Sequence, residues 1–287
     1  MPELPEVEVV AQLLTEALAR ASIESAAAPG VNALKTFDPP LSALEGATIS
    51  EVRRRGKLLL IDAEAPGRGP LTLLMHLMSA GRLQLFDARA SLRDRTSRVL
   101  IRLAGGRELR LREFGTRQAA WVRLLTPEGL KADETLAHLG PEAWPDPPPL
   151  RDPLVAQGAR PLHSVLRDQS VITGIGRTWV DEILHAARMS PFKRGDELTD
   201  AEAGSLREAV AGELGRGVEH YARELSIPVP DKLPKPTRVH GHQGEPCPRC
   251  ETVLEAVFFE DYVMTYCPYC QTGGRILKDR RLSRLLK

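Results

Sequence analysis

Four cysteines lie close together near the end of the chain. The segments CPRC and CPYC place Cys247, Cys250, Cys267 and Cys270 in the pattern C-x2-C-x16-C-x2-C, and the chain has no other cysteine. Thiolate pairs at this spacing are typical of a zinc site in which protein takes all four tetrahedral positions. Four free buried cysteines are the alternative, but so small a module cannot build a core without a metal. The sequence therefore predicts one structural Zn²⁺ ion rather than a catalytic one.

The chain begins with MPELPEVEVV. A helix start explains Pro5 and Glu6, because proline and acidic residues suit the first helical turn and apolar residues follow at helical spacing. It does not explain Pro2 and Glu3. Removal of Met1 would expose a secondary amine at Pro2, with the Glu3 carboxylate directly beside it.

The segment GIGRTWVDEIL contains Gly174 and Gly176, which predict a tight turn that leads into a helix. Backbone N–H groups at such a helix start can bind a phosphate. A plain connection between two helices explains the same glycines, so the turn alone leaves both interpretations open.

The composition indicates a folded soluble protein. Hydrophobic residues make up 42% of the 287 residues and charged residues 27%, with a net charge of +1. No apolar run approaches the roughly 20 residues of a membrane helix, and the acidic start is unlike a signal peptide, so we expect a cytoplasmic protein. Basic residues concentrate in RRRGK at 53–57 and in the final QTGGRILKDRRLSRLLK. Each cluster could be an ordinary solvated face or a nucleic-acid contact.

Periodicity predicts an α+β multidomain protein. After the first helix, alternating apolar residues and glycine turns predict short strands of a β-sandwich. A proline-rich stretch then ends this pattern, and helical periodicity follows up to the cysteines. The predicted segments are a helix and β-sandwich domain at 1–125, a linker at 126–153, a helical domain at 154–236, and a zinc finger with a basic tail at 237–287.

Three motifs together resemble the formamidopyrimidine-DNA glycosylase/endonuclease VIII family of base-excision repair. They are MPELPEVE at the start, GIGRTWVDEIL between helices, and the terminal four-cysteine finger followed by Gln271. The resemblance covers nearly the whole chain and is closer to the formamidopyrimidine branch. It implies an N-terminal helix plus β-sandwich, a helix–two-turn–helix domain and a zinc-finger hairpin. It also implies a monomer of bacterial type, associated with the nucleoid when it binds double-stranded DNA carrying a damaged base or an abasic site.

The resemblance implies a catalytic role for the N-terminal residues. Pro2, freed of Met1, would be the amine nucleophile, and an α-amino group titrates near pH 8, so part of it is unprotonated at neutral pH. Glu3 would act as general acid and base, and Lys57 would assist proton transfer. Glu6 matches another active-site acid, although it also suits a helix start. Base removal followed by β-elimination is the implied reaction.

The resemblance also implies DNA contacts. Arg112 and Phe114 of REFG match the loop that fills the space left by an extruded nucleotide, although Phe114 could instead be a core aromatic residue. His76 and Met78 belong to HLMSAG, where the family has HLGMSG. Aligned without a gap, Ser79 takes the position of the family's wedge methionine and Met78 precedes it.

Further DNA contacts and departures from the family pattern involve the helical domain and the finger. Gly176 and Arg177 are the candidate phosphate contacts, and Arg177 stands where asparagine is common. Tyr262 replaces a finger arginine associated with the second, δ, elimination, so we do not expect efficient δ-elimination. Residues 217–241 do not match the loop that caps 8-oxoguanine, which leaves the preferred lesion open. The basic tail would add salt-dependent affinity for DNA.

These features favour a bifunctional DNA glycosylase and abasic-site lyase. A damaged-DNA-binding protein of the same fold with little or no turnover is the alternative. A zinc-ribbon regulator without damage preference is a third interpretation, and it does not explain the N-terminus or Lys57.

Overall fold

The computed structural model describes residues 1–115, 117–233, 235–259 and 262–277. The chain folds into two compact units. The first comprises Met1–His138 and Val218–Pro234, and the second comprises Leu139–Gly217 and Lys235–Lys287. Among the described residues, no helix is both long enough and apolar enough to cross a membrane.

The first unit is a helix followed by antiparallel strands, as the sequence predicts. Its helices and strands are α1 (Leu4–Leu18), β1 (Ile23–Ala27), β2 (Thr48–Arg55), β3 (Leu58–Ala65), β4 (Gly69–His76), β5 (Gly81–Phe86), β6 (Ser97–Leu103), β7 (Glu108–Glu113), β8 (Trp121–Leu125), α2 (Pro127–Lys131) and α3 (Glu134–Ala137). A short 3-10 helix covers Leu41–Leu44.

The strands form two four-stranded antiparallel sheets, which confirms the predicted β-sandwich. Their orders are β1-β6-β7-β5 and β2-β3-β4-β8. Glycine turns connect neighbouring strands: Gly56 lies between β2 and β3, and Gly105-Gly106 lies between β6 and β7, all three with positive φ. Strand β3 buries residues on both faces, and α1 contacts both β2 and β3.

The second unit is mainly helical and ends in the cysteine hairpin. Its helices and strands are α4 (Arg151–Val155), α5 (Leu162–Val165), α6 (Arg177–Ala186), α7 (Asp200–Glu224), β9 (Glu255–Phe258), β10 (Val263–Tyr266) and α8 (Pro268–Thr272). Residues Gly195–Glu197 form a 3-10 helix. The last seven residues of α7 count with the first unit.

The boundaries of the two units differ from the predicted segments. The predicted linker contains α2 and α3, which belong to the first unit. Residues 218–234, predicted within the helical domain, also belong to the first unit. Their attachment has a clear cause: the Gln84 side chain donates to the backbone oxygen of Val229 and, at 3.0 Å, to the Asp231 carboxylate.

The cysteine hairpin shares one compact unit with the helices instead of standing alone. Two neighbouring carboxylates of α6 explain this. Glu182 accepts hydrogen bonds from the backbone N–H groups of residues 238–240. Asp181 accepts one from the Thr265 N–H at 3.0 Å and pairs with His240 at 2.7 Å. Because both carboxylates are buried, their hydrogen bonds must come from protein, and the finger backbone supplies them.

Candidate functional site

The two glutamates at the start of α1 are buried side by side. Glu3 is the N-cap residue of α1, and its N–H donates to the Glu6 carboxylate at 3.2 Å. Only 1% of Glu3 and 3% of Glu6 is exposed. Pro2 is buried as well, whereas Met1 before it is 42% exposed. Glu6 therefore caps the helix, but as a desolvated group rather than as a solvated helix-start acid.

Burial gives Glu6 an unusual acidity. Loss of hydration, reinforced by the neighbouring charge of Glu3, raises the pKa of Glu6 to about 7. Hydrogen bonds to the carboxylate limit this rise. One of them comes from the hydroxyl group of Tyr221 in α7, which donates to Glu6 Oε1 at 3.0 Å.

Tyr221 was not among the site residues predicted from the sequence. It lies at an apolar position of α7, between Val218 and Leu225, and all three side chains are buried. A tyrosine on a buried helix face needs a hydrogen-bond partner for its hydroxyl group. This requirement could have marked Tyr221 in the sequence as a residue with a buried polar contact. The partner, Glu6, lies 215 residues earlier in the chain, so only tertiary packing identifies it.

Lys57 and His76 lie near each other in the first unit. Lys57 follows the Gly56 turn and is only 8% exposed, and its neighbour Leu58 pairs with His76 across β3 and β4. Burial, with the positive charge of Lys57, lowers the pKa of His76 to about 4. His76 is therefore neutral at pH 7, and its Nδ1 accepts the Met78 N–H at 2.8 Å.

The turn after His76 has a left-handed backbone at Met78, with φ of +50°. Glycine is the residue that adopts this conformation without strain, and glycine stands here in the family motif. Gly81 closes the turn, because a Cβ atom at this position would lie 2.2 Å from the Leu77 carbonyl oxygen. Ser79 is exposed. The backbone therefore supports the gap-free alignment, and a wedge role for Met78 stays a prediction.

Arg112 and Phe114 form a stacked pair at the end of β7. The Arg112 guanidinium lies 4.6 Å from the centre of the Phe114 ring. It donates to Thr96 at 3.0 Å and lies 3.3 Å from the Asp231 carboxylate. Phe114 is 38% exposed, so it is not a core residue. The guanidinium is thus held in one orientation, beside an accessible aromatic ring.

Part of the basic cluster at 53–57 is neutralised within the fold. Arg53 pairs with Asp62 at 2.5 Å, and Arg54 pairs with Glu8 at 2.7 Å. These two arginines therefore stabilise the contact of β2 with β3 and α1. Of the basic tail, Arg275 is described, whereas Lys278, Arg280, Arg281, Arg284 and Lys287 lie outside the described residues.

Two departures from the family pattern are in contact in the second unit. Gly176 is the N-cap residue of α6, and the guanidinium of Arg177 after it lies 4.9 Å from the centre of the Tyr262 ring. Arg167 lies 4.5 Å from the same ring and donates to the Tyr262 hydroxyl at 3.2 Å. Phe259 stacks on Tyr262 with 4.4 Å between ring centres. Contact with one aromatic ring favours the close approach of the two guanidinium groups. Arg167 was not among the residues predicted from the sequence.

The four predicted metal ligands converge. The Sγ atoms of Cys247, Cys250, Cys267 and Cys270 all lie within 4.8 Å of one another, and two of the separations are 3.5 Å and 3.4 Å. Four sulfurs about 2.3 Å from a tetrahedral zinc ion would be about 3.8 Å apart. The cluster therefore fits Zn²⁺.

The cysteines differ in acidity. Hydrogen bonds from Thr252 lower the pKa of Cys250 to about 6, which favours the thiolate form that binds metals. Burial, in contrast, raises the pKa of Cys267 to about 12 and also raises that of Cys270. Nε2 of His185 lies 3.2 Å from Cys247 Sγ. Burial lowers the pKa of His185 to about 4, so this imidazole is neutral at pH 7. His185 is a further residue that sequence analysis did not find.

Family comparisons agree with this geometry. Residues 1–118 match the family model described as formamidopyrimidine-DNA glycosylase N-terminal domain, and residues 149–228 match the formamidopyrimidine-DNA glycosylase H2TH domain. The formamidopyrimidine-DNA glycosylase of Symbiobacterium thermophilum is 31% identical over an alignment of 298 positions, which covers 98% of this chain and 93% of that protein.

Solved structures share the fold. The MutM (Fpg) protein of Thermus thermophilus has a TM-score of 0.78 and 29% identity, over 94% of this chain and 98% of that one. Lactococcus lactis Fpg in complex with abasic-site DNA has a TM-score of 0.82 and 23% identity, over 94% and 100% of the two chains. Matching domains, full-length relatives and fold together show that this chain belongs to the formamidopyrimidine-DNA glycosylase family.

Proposed function

We propose that the protein is a bifunctional DNA glycosylase and abasic-site lyase that removes oxidised bases and acts through Pro2. The observation that carries this proposal is the pair of buried carboxyl groups, Glu3 and Glu6, directly after the exposed Met1 and the buried Pro2. A buried acid with a raised pKa, such as Glu6, is typical of sites that transfer protons.

The reaction requires a secondary amine at position 2. Pro2 nitrogen forms a bond to C1′ of the deoxyribose, the bond between C1′ and the damaged base breaks, and the proton lost from the Pro2 nitrogen is passed to the departing base. Glu3 protonates the ring oxygen as the sugar opens, which leaves a cationic iminium. Loss of a C2′ proton then breaks the C3′–O bond and releases the 3′ phosphate as a leaving group. Lys57 assists these proton transfers.

Double-stranded DNA with a damaged base or an abasic site is the proposed partner. Lactococcus lactis Fpg has been solved with abasic-site DNA and shares the fold. In this chain, Arg112 and Phe114 would fill the space left by the extruded nucleotide. Gly176 and Arg177 at the start of α6 would bind a backbone phosphate. Because Tyr262 stands in place of the finger arginine, we propose that one elimination predominates.

A structural zinc ion completes the proposed enzyme. Cys247, Cys250, Cys267 and Cys270 would hold it, and the ion would crosslink the hairpin rather than take part in the reaction. All four tetrahedral positions would be occupied by thiolates, which leaves none for a substrate atom.

Borohydride trapping tests the nucleophile. Reduction of the iminium should couple the Met1-free protein covalently to abasic-site DNA, and peptide mapping should place the DNA on Pro2. A matched variant with one extra N-terminal residue has an amide at Pro2, and it should bind this DNA without coupling. Equal coupling by both forms would show that the nucleophile lies elsewhere. A panel of duplexes, each with one lesion, identifies the substrate in the same experiment.

A damaged-DNA-binding protein with little turnover is the second candidate. The exposed Ser79 at the wedge position and Tyr262 in the finger favour it. It predicts tight binding of abasic-site DNA by the Met1-free protein, with product barely above background. Coupling to DNA and multiple turnovers would exclude it.

A further inference from the structure

The contact between Tyr221 and Glu6 has a consequence for the reaction. Tyr221 is fully buried, and its ring packs edge-on against His220, with 5.3 Å between ring centres. Burial and the negative charge of Glu6 raise the pKa of Tyr221, so the phenol keeps its proton. Its hydroxyl group is therefore a permanent donor to Glu6 Oε1 at 3.0 Å.

The other Glu6 oxygen lies against the peptide bond that follows Pro2. Oε2 accepts the Glu3 N–H at 3.2 Å, and this nitrogen is bonded directly to the Pro2 carbonyl carbon. The Glu6 carboxyl group is thus held within a few ångströms of Pro2, with one donor on each oxygen. Both donors favour the ionised carboxylate over the neutral acid.

We propose that Tyr221 is a positioning residue, which holds the Glu6 carboxylate in place and in its charged form beside Pro2. This inference rests on the proposed function, because the ionised Glu6 carboxylate would assist catalysis by stabilising the cation that forms on the Pro2 nitrogen. A fixed negative charge in a buried site stabilises a developing cation without the reorganisation that water would need.

The charged groups around Glu6 influence the protonation equilibrium of its carboxyl group, which the Tyr221 hydrogen bond also shifts. Glu3, on the same helix, disfavours the Glu6 charge. Arg82 of β5 is close enough for an attractive electrostatic interaction with Glu6, and Asp231 in turn acts on Arg82. Burial and the Glu3 charge, opposed by hydrogen bonds from the backbone and from Tyr221, place the Glu6 pKa at about 7. A single hydrogen bond is therefore enough to change the charge of Glu6 at physiological pH.

Single-turnover coupling to abasic-site DNA at pH 6.5 and pH 9 tests the proposal with two variants. Tyr221→Phe keeps the ring and loses the donor, whereas Glu6→Gln mimics the neutral acid at every pH. A hydrogen bond to a charged group is worth about tenfold in an equilibrium. We expect Tyr221→Phe to be about tenfold slower than the unmodified protein at pH 6.5 and nearly equal to it at pH 9. Glu6→Gln should stay slow at both values.

Either of two results would overturn the proposal. Tyr221→Phe could couple to DNA as fast as the unmodified protein at pH 6.5, or it could couple as slowly as Glu6→Gln at pH 9. The second outcome would indicate a packing role only. DNA affinity, measured in parallel, should be the same for Tyr221→Phe and the unmodified protein.

Titration of the Glu6 carboxyl carbon by NMR, with ¹³C-labelled glutamate, separates this inference from the proposed function. Tyr221→Phe should move the midpoint upward by about one pH unit. An unchanged midpoint would reject the role of Tyr221. A shifted midpoint in a protein that never couples to DNA would instead reject the lyase proposal and leave the Tyr221 bond established.

Discussion

At the scale of single residues, burial changes what the carboxyl groups at the start of α1 can do. An acid in the first helical turn normally faces solvent and stabilises the helix by its charge. Glu6 occupies such a position by sequence, but its side chain is enclosed and hydrogen-bonded to Tyr221 and to the Glu3 N–H. The folded protein therefore binds the Glu6 proton more tightly than the unfolded chain does.

This tighter binding predicts a pH-dependent stability. The pKa of Glu6 rises from an ordinary 4.5 to about 7 on folding. Between these values the folded state holds more protons, so the free energy of unfolding falls as pH rises, by up to about 3 kcal/mol from this group. Glu6→Gln should remove this contribution. Urea unfolding should show Glu6→Gln gaining stability relative to the unmodified protein between pH 5 and pH 7.5.

Glu16→Gln provides the control for this prediction. Glu16 is an exposed residue of the same helix, and its substitution should leave the pH dependence as it is in the unmodified protein. A Glu6→Gln variant with the same pH dependence as the unmodified protein would contradict the prediction.

Met78 shows strain at the scale of one residue. A left-handed backbone costs a non-glycine residue about 1–2 kcal/mol, and the greater freedom of glycine in the unfolded chain offsets part of any gain. Met78→Gly should therefore raise the free energy of unfolding by about 0.5–1 kcal/mol, measured by urea unfolding. Ala80→Gly, in the same turn, should lower it. Destabilisation by Met78→Gly would indicate that the methionine side chain makes packing contacts that outweigh the strain.

At the scale of elements, helix α6 organises the second unit. Its buried residues Asp181 and Glu182 accept hydrogen bonds from the finger backbone, and Asp181 also lies 3.2 Å from His163 of α5. The helix start carries Arg177 beside Tyr262. One short helix thus fixes the finger on one face and presents a guanidinium at its N-terminal end.

Arg177→Ala should weaken DNA binding at this helix start. Each cation that contacts a phosphate contributes about one unit to the slope of log affinity against log salt concentration. The variant should therefore bind all duplexes more weakly and show a slope reduced by about one, measured by fluorescence anisotropy. Arg194→Ala is the matched control, because Arg194 is exposed and pairs with Asp196. An unchanged slope for Arg177→Ala would exclude a phosphate contact.

At the scale of the whole molecule, both units have a buried apolar core, but few apolar side chains surround the cysteines. The core of the first unit contains buried residues of both sheets and of α1. The hydrophobic cluster around the predicted metal site contains Val239 and Leu254 besides the cysteines themselves. The hairpin strands have buried residues of their own, Val257, Met264 and Tyr266, so we expect a bound metal to stabilise mainly the segment around the cysteines.

Metal removal should therefore act selectively. Purified protein should contain one zinc ion per chain by elemental analysis, and a strong chelator or Cys250→Ser should remove it. We expect loss of DNA affinity and of finger structure, while hydrogen-exchange protection of the β-sandwich strands persists. Metal-free protein with unchanged finger protection would show that the cysteines are not a structural metal site.

The sequence by itself determined the main elements in their order and the four cysteines that cluster in the structure. Alternation, helical periodicity and glycine turns are local signals, and they predicted α1, the hairpins of the sandwich and the turn before α6. The thiolate spacing likewise identified Cys247, Cys250, Cys267 and Cys270. The motif order was sufficient to recognise the family.

Only the tertiary structure decided which distant side chains meet and how each is solvated. Tyr221 reaches Glu6, Arg177 stacks on Tyr262, and Gln84 ties residues 229–231 to the first unit. These contacts join segments far apart in the chain, and no local pattern encodes them. The charge of a group such as Glu6 depends on the water that packing removes and on the partners that packing supplies, and both exist only once the chain has folded.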